Sequence, residues 1–169
     1  MDPLSHSDSR GIIEGILRYI PGFRGYLEKE YRRESDGLAR KALEDSLQHV
    51  KQNVDRYLAA QVDQGKLETL AVGERLKSRI DQLQNKIRSS VRGYSAFFEY
   101  VKVNKARLDD VLALDLQLVS ACKSIEEAAE ILSGEKETLV DKLEELGSTV
   151  DGLSKKFAQR SDILTGLSD

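Results

Sequence analysis

The chain has 169 residues, 33% of them charged and 40% hydrophobic, with a net charge of −3. That length suits one domain, the apolar fraction suits narrow helical seams better than a thick core, and the net charge is too mild to imply a nucleic-acid or membrane partner by itself. A single cysteine excludes an intramolecular disulfide, and no run of about 18 apolar residues is present to span a membrane as a helix. The N-terminus lacks a signal-peptide pattern, so the expected location is cytoplasmic, with the inner membrane face as a peripheral alternative.

Residues 1–8 read as a flexible tail, and residues 9–169 as one helical-bundle domain. Both prolines, Pro3 and Pro21, lie near the N-terminus, leaving everything after Pro21 free of the strongest helix breaker. A short amphipathic helix is expected over 9–20, with Ile12, Ile13, Ile16, Leu17 and Ile20 on one stripe. Pro21-Gly22 should end it, because a residue before proline is pushed out of the α region.

Four long helices follow, over 24–63, 66–92, 104–132 and 135–164. The first carries Leu43, Leu47, Val50, Val54, Tyr57 and Gln61 at alternating four- and three-residue spacings. Its charged first half has Leu27, Tyr31 and Leu38 as apolar anchors. The second carries Leu76, Ile80, Leu83 and Ile87, then Tyr94. After Gly93 a short helical or irregular segment is expected to run into an extended VKV, with Asn104 capping the third helix. That helix carries Leu108, Val111, Asp115, Leu118, Cys122, Ile125, Ala129 and Leu132. The fourth carries Leu139, Leu143, Leu146, Val150, Leu153, Phe157 and Leu164, with Arg160 in register. Turns are expected at Gly65 and Ser133-Gly134. The fold class is therefore all-α: an elongated antiparallel helical bundle, or coiled coil, of four long helices plus a short N-terminal one.

Folding back about Gly65 brings Tyr19, Phe23, Tyr26 and Tyr31 toward Tyr94, Phe97, Phe98 and Tyr100, which together are eight of the ten aromatics. One end of the bundle should be an aromatic cap flanked by Arg24, Arg32 and Arg33. The other should be plain seam. Arginine beside tyrosine is a common interface pairing, so this end is the expected site of a protein partner or of self-association.

The catalytic inventory is thin. The two histidines, His6 and His49, lie in no metal-ligand spacing, and Ser46 stands where a di-iron Glu-x-x-His motif would need its glutamate. No cofactor or small-molecule substrate is implied. Cys122, at a heptad position, reads as a small core residue. The glycines Gly22, Gly25 and Gly93 read as helix junctions, since GFRG has neither the Gly-Lys-Ser/Thr ending nor the preceding strand of a phosphate loop. Residues 66–105 carry 9 basic and 4 acidic side chains, and residues 106–169 carry 7 and 14. Without interleaved aromatics the basic stretch (Arg75, Arg79, Lys86, Arg88) is not expected to bind nucleic acid and reads as a neighbour of the acidic one.

Asp115 occupies a position where the heptad calls for an apolar side chain. A buried carboxylate needs a cation or donors, and Arg92, Lys102, Tyr94 and Arg160 are candidates by position. It could set helix register, or it could centre a small-ligand or catalytic site beneath the aromatic cap.

The runs IPGFRGYLEKEYRRESDGLAR (20–40), RGYSAFFEYVKV (92–103) and LDDVLALDLQL (108–118) resemble a family of small prokaryotic helical proteins with the same two Gly-Tyr motifs in the same order. This chain has Ala96 where that family's second motif has glycine. The resemblance implies a helical fold and no particular activity. A short amphipathic helix before a charged helical hairpin is also similar in layout, without a shared motif, to the phage-shock membrane-remodelling proteins. The readings that follow are a non-enzymatic scaffold or interaction module using Phe23, Arg24, Tyr26, Tyr31, Arg32, Arg33, Tyr94, Phe97, Phe98, Tyr100 and Asp115; a peripheral membrane protein anchored by the 9–20 stripe; or a sensor or enzyme centred on Asp115.

Overall fold

The computed structural model describes residues 3–90 and 105–165, which form five helices and no strand. They are α1 (Pro3–Leu17), α2 (Lys29–Asp63), α3 (Leu70–Ser89), α4 (Lys105–Ser133) and α5 (Val140–Thr165). The all-α bundle is as expected, and the seams fall where the spacing puts them. Every seam residue named above for α2, α3 and α4 within the described residues is buried, as are those of α5 from Leu143 onward. No helix among the described residues is long and apolar enough to cross a membrane.

The helix ends differ from expectation for local reasons. Helix α1 reaches back to Pro3 instead of starting at residue 9. Proline is tolerated at a first helical position because its missing N–H has no intrahelical partner there anyway. Helix α2 begins at Lys29, not Arg24. Gly22 and Gly25 adopt φ of +87° and +77°, left-handed values that no α-helix contains. A Cβ at Gly25 would also meet Ile13 Cδ1 at 2.9 Å, so α1 packs against this connection at glycine distance. The turn after α2 does form at Gly65, with φ of +71°. Gly65 N–H donates to the Val62 carbonyl at 2.8 Å and Lys66 N–H to the Gln61 carbonyl at 2.9 Å, which closes the helix with a Schellman pair.

The helices do not make the simple antiparallel ring. Helices α2 and α3 form one antiparallel hairpin, bridged by Lys51–Asp81 and Lys77–Asp55, and α4 and α5 form another. The hairpins pack with α2 beside α4 and α3 beside α5. Ser46 and His49 on α2 meet Glu126 on α4, while Arg79 on α3 meets Asp151 on α5. Both neighbours therefore run parallel. Helices α3 and α4, consecutive in sequence, stand on a diagonal of the bundle, as do α2 and α5. Short turns dictate antiparallel partners within a hairpin but say nothing about which hairpin faces meet.

Helix α1 lies on α4. Gly15 faces Leu116, whose side chain a Cβ there would reach at 3.2 Å, and the Ser9 hydroxyl donates to Asp109 at 2.9 Å.

The turn end is more than plain seam. Buried Tyr57 on α2 donates its hydroxyl to the Glu137 carbonyl at 2.8 Å and accepts the Leu139 N–H at 2.7 Å. Gln61 and Lys66 both reach the Lys136 carbonyl. One hairpin's turn is thereby laced to the other's. Replacing Tyr57 with phenylalanine keeps the ring and strands the backbone groups of residues 137 and 139. The expected loss is about 1–3 kcal/mol in denaturant unfolding, seen as a lower midpoint at unchanged m value.

Candidate functional site: a buried ionic cluster

The largest fully buried side chain among the described residues is Arg160, at 0% exposure on α5. A guanidinium taken out of water needs its donors answered by acceptors of opposite charge. Asp115 on α4 accepts from Nε at 2.5 Å, and Asp36 on α2 accepts from Nη2 at 2.7 Å. The Tyr26 hydroxyl lies 3.1 Å from Nη2 and donates to the second oxygen of Asp115. Arg40, one turn along α2, donates to the other oxygen of Asp36 at 2.9 Å. Two guanidinium cations thus face two carboxylates, and the cluster's formal charge balances.

The four buried members, Tyr26, Asp36, Asp115 and Arg160, each arrive from a different element. Asp115 and Arg160 sit at seam positions of α4 and α5, so the heptad itself aims them inward. Asp36 lies on the same inward face of α2 as Ala39 and Leu43. Tyr26 comes from the irregular connection, where the left-handed Gly25 turns the chain inward. Its ring packs edge-on against Phe23, with centroids 5.7 Å apart. Arg32 fastens this connection from outside, donating to the carbonyls of Tyr26 at 2.7 Å and Leu27 at 3.2 Å. The Ser35 hydroxyl accepts the Arg24 N–H at 3.2 Å.

The electrostatics keep Tyr26 and Arg160 protonated near neutrality. Burial, aided by Asp115, pushes the Tyr26 phenol well above its ordinary value, so the hydroxyl remains a donor. For Arg160, burial opposes the charge but Asp115, Tyr26 and Asp36 outweigh it, and the guanidinium is held more firmly protonated than usual. None of the described cavities is lined by Tyr26, Asp36, Asp115 or Arg160. The arrangement can fix helix register and anchor a connection.

The structure divides the residues singled out from the sequence. Phe23, Tyr26 and Asp115 lie in the interior and cannot form a contact surface while the fold is closed. Arg24 and Arg33 are exposed, Tyr31 and Arg32 half-buried, and the Arg24 guanidinium stacks over the Tyr31 ring at 4.4 Å. Tyr94, Phe97, Phe98 and Tyr100, together with Arg92, Lys102, the VKV run and Asn104, lie outside the described residues. On the N-terminal stripe, Ile16 and Ile20 are buried, Ile12 and Ile13 are half-buried against the core, and Leu17 is exposed. The stripe is largely spent on the bundle. Of the four candidate partners for Asp115, Arg160 is the one that falls among the described residues, and it meets the carboxylate. Asp36 and Tyr26 were not expected beside it.

A second polar group sits on the α2–α4 surface. Glu126 accepts from Ser46 at 2.6 Å and Lys123 at 3.1 Å, and pairs with His49 Nδ1 at 2.9 Å. Burial pushes its carboxyl up, but the bonds from Ser46, Lys123 and His49 together win and hold it below the usual range. The residue types suggest a hydrolytic triad, yet serine and histidine each bond the carboxylate and not one another, so the histidine is not placed to deprotonate the serine. No group of three or more potential metal ligands occurs among the described residues.

Two predictions follow from these geometries. Arg160→Met should destabilise the fold by about 3–5 kcal/mol by stranding Asp115 and Asp36, and adding Asp115→Leu should restore part of that loss. Strict additivity in denaturant unfolding would mean the two side chains are energetically independent. Burial, with Glu126 nearby, pushes the Cys122 thiol up to about 12. At pH 8 roughly one such thiol in ten thousand is ionised, so Cys122 should react with an aromatic disulfide reagent only after unfolding. No protein-family model, curated protein or solved structure matches this chain, and the cluster's role is read from its own chemistry.

Proposed function

We propose that the chain is a non-enzymatic helical scaffold that binds a protein partner through the exposed part of its open end, opposite the turns. The observation carrying this reading is the Arg24–Tyr31 stack, between whose partners in the chain stands Leu27, 44% exposed. Arginine, tyrosine and a solvent-facing leucine are side chains that anchor protein interfaces. Arg24 and Leu27 stand on a connection already held from inside by Tyr26 and from outside by Arg32, and Tyr31 on the first turn of α2 beside it. A surface ordered before binding loses little conformational entropy when a partner arrives. The alternative of a membrane anchor would require Ile16 and Ile20 to leave the core, and no observation favours that.

Leu27→Ser, Arg24→Glu and Tyr31→Ala each leave the buried cluster intact and should leave the helical circular dichroism unchanged. Each should lower recovery of a cross-linked partner by about tenfold relative to the unaltered chain. Light scattering across a concentration series separates self-association from capture of a different protein. Equal recovery by all three variants would defeat the proposal.

A further inference from the structure

The hairpin of α4 and α5 carries a groove on its outer face, near the turns and far from the open end. Its volume is about 400 Å³, within the range of pockets that bind organic ligands or several side chains. Ile125, Leu132 and Leu146 form its apolar lining, and the small residues Ser124 and Ala128 leave it concave. Ile131 stands at its edge, 70% exposed, the most exposed of the large apolar side chains described. From Ser124 to Leu132 the groove follows α4 for about 12 Å at 1.5 Å per residue, room for an apolar face of two turns or more.

The rim is acidic. Glu135 and Glu145 line the groove, and Glu127 lies exposed on the same stripe of α4 as Ser124 and Ile131, three and four residues away. The cation lining it, Lys142, is already bound to Glu145 at 2.9 Å. No ion pair among the described residues involves Glu127 or Glu135. A two-fold copy of this chain would bring acidic rim against acidic rim, and an anionic lipid surface would meet the same repulsion. The complement is an apolar stripe with basic flanks.

We propose that this groove docks a basic amphipathic helix from a different protein, with aliphatic side chains at i, i+3, i+4 and i+7 packing against Ile131, Ala128 and Leu146, and with Lys or Arg on its flanks facing Glu127 and Glu135. The site is separate from the open-end surface, so the chain would hold two partners at opposite ends.

The test is a fluorescence-anisotropy titration of the full chain with a labelled four-turn peptide that has leucines at those positions and lysines on its flanks. A second peptide has glutamates in place of the lysines. The basic peptide should bind, with hydrogen-exchange protection appearing in 124–149, and the acidic one should bind at least tenfold more weakly. Ile131→Ser and the double variant Glu127→Lys, Glu135→Lys alter exposed side chains and should each weaken the basic peptide about tenfold with helical content unchanged. Leu27→Ser should leave this titration untouched, which separates failure here from failure of the open-end reading. Equal binding of both peptides, protection elsewhere in the chain, or no effect of the Ile131 change would overturn the proposal. So would a dimer in light scattering that Ile131→Ser dissolves, since the occupant would then be a second copy.

Discussion

A guanidinium cannot sit in the middle of a helical bundle unless acceptors are delivered to it from several directions at once. Arg160 imposes that condition here, and much of the open half of the molecule can be understood as the means of meeting it. Helix α4 must present Asp115 and α2 must present Asp36 at matching heights, which sets their axial register relative to α5. An apolar seam tolerates a slide of one heptad with modest loss, because one leucine replaces another. A seam with a buried ion pair does not, because a slide would leave both charges in an apolar layer without partners. The cluster therefore disfavours any register but the one in which these partners meet.

The same condition explains the connection between α1 and α2. The second oxygen of Asp115 takes its hydrogen bond from Tyr26, and Tyr26 can reach inward only from a backbone that leaves the helical path. Gly25 supplies that path, Arg32 ties it down, and the exposed Arg24 and Leu27 lie on the same stretch, with Arg24 stacked over the half-buried Tyr31. The surface proposed to bind a partner is thus the outer side of the machinery that satisfies a buried charge. At the far end Tyr57 plays a comparable structural part with backbone groups alone, joining the two turns so that neither hairpin swings away from the other.

The seams were legible in the sequence because four-three spacing is a direct signature of a helix face, and Asp115 announced itself by breaking the pattern. Arg160 could be seen in register as well. Asp36 was missed, although carrying the same spacing back from Leu43 passes through Ala39 and reaches it. The charged surroundings of residues 28–36 drew attention to Leu38, which is only half-buried. Tyr26 carried no periodic signal, since its placement depends on a left-handed glycine and on tertiary contacts. The pairing of the hairpins was not legible either. A heptad seam records that a face is covered and not which neighbour covers it, so parallel packing of α2 on α4 had no trace in the spacing.

That pairing has a consequence for how the chain reaches its fold. Each hairpin closes through a turn of a few residues, a local event with little loop entropy to overcome. The contacts between hairpins join residues about 80 apart, as between Ser46 and Glu126, and Tyr26 meets Arg160 across a separation of 134. Early association of two preformed hairpins would be held by apolar surface that accepts several alignments. The ionic cluster can be completed only in one of them, so a misaligned collapse would leave Arg160 and its two carboxylates without their partners.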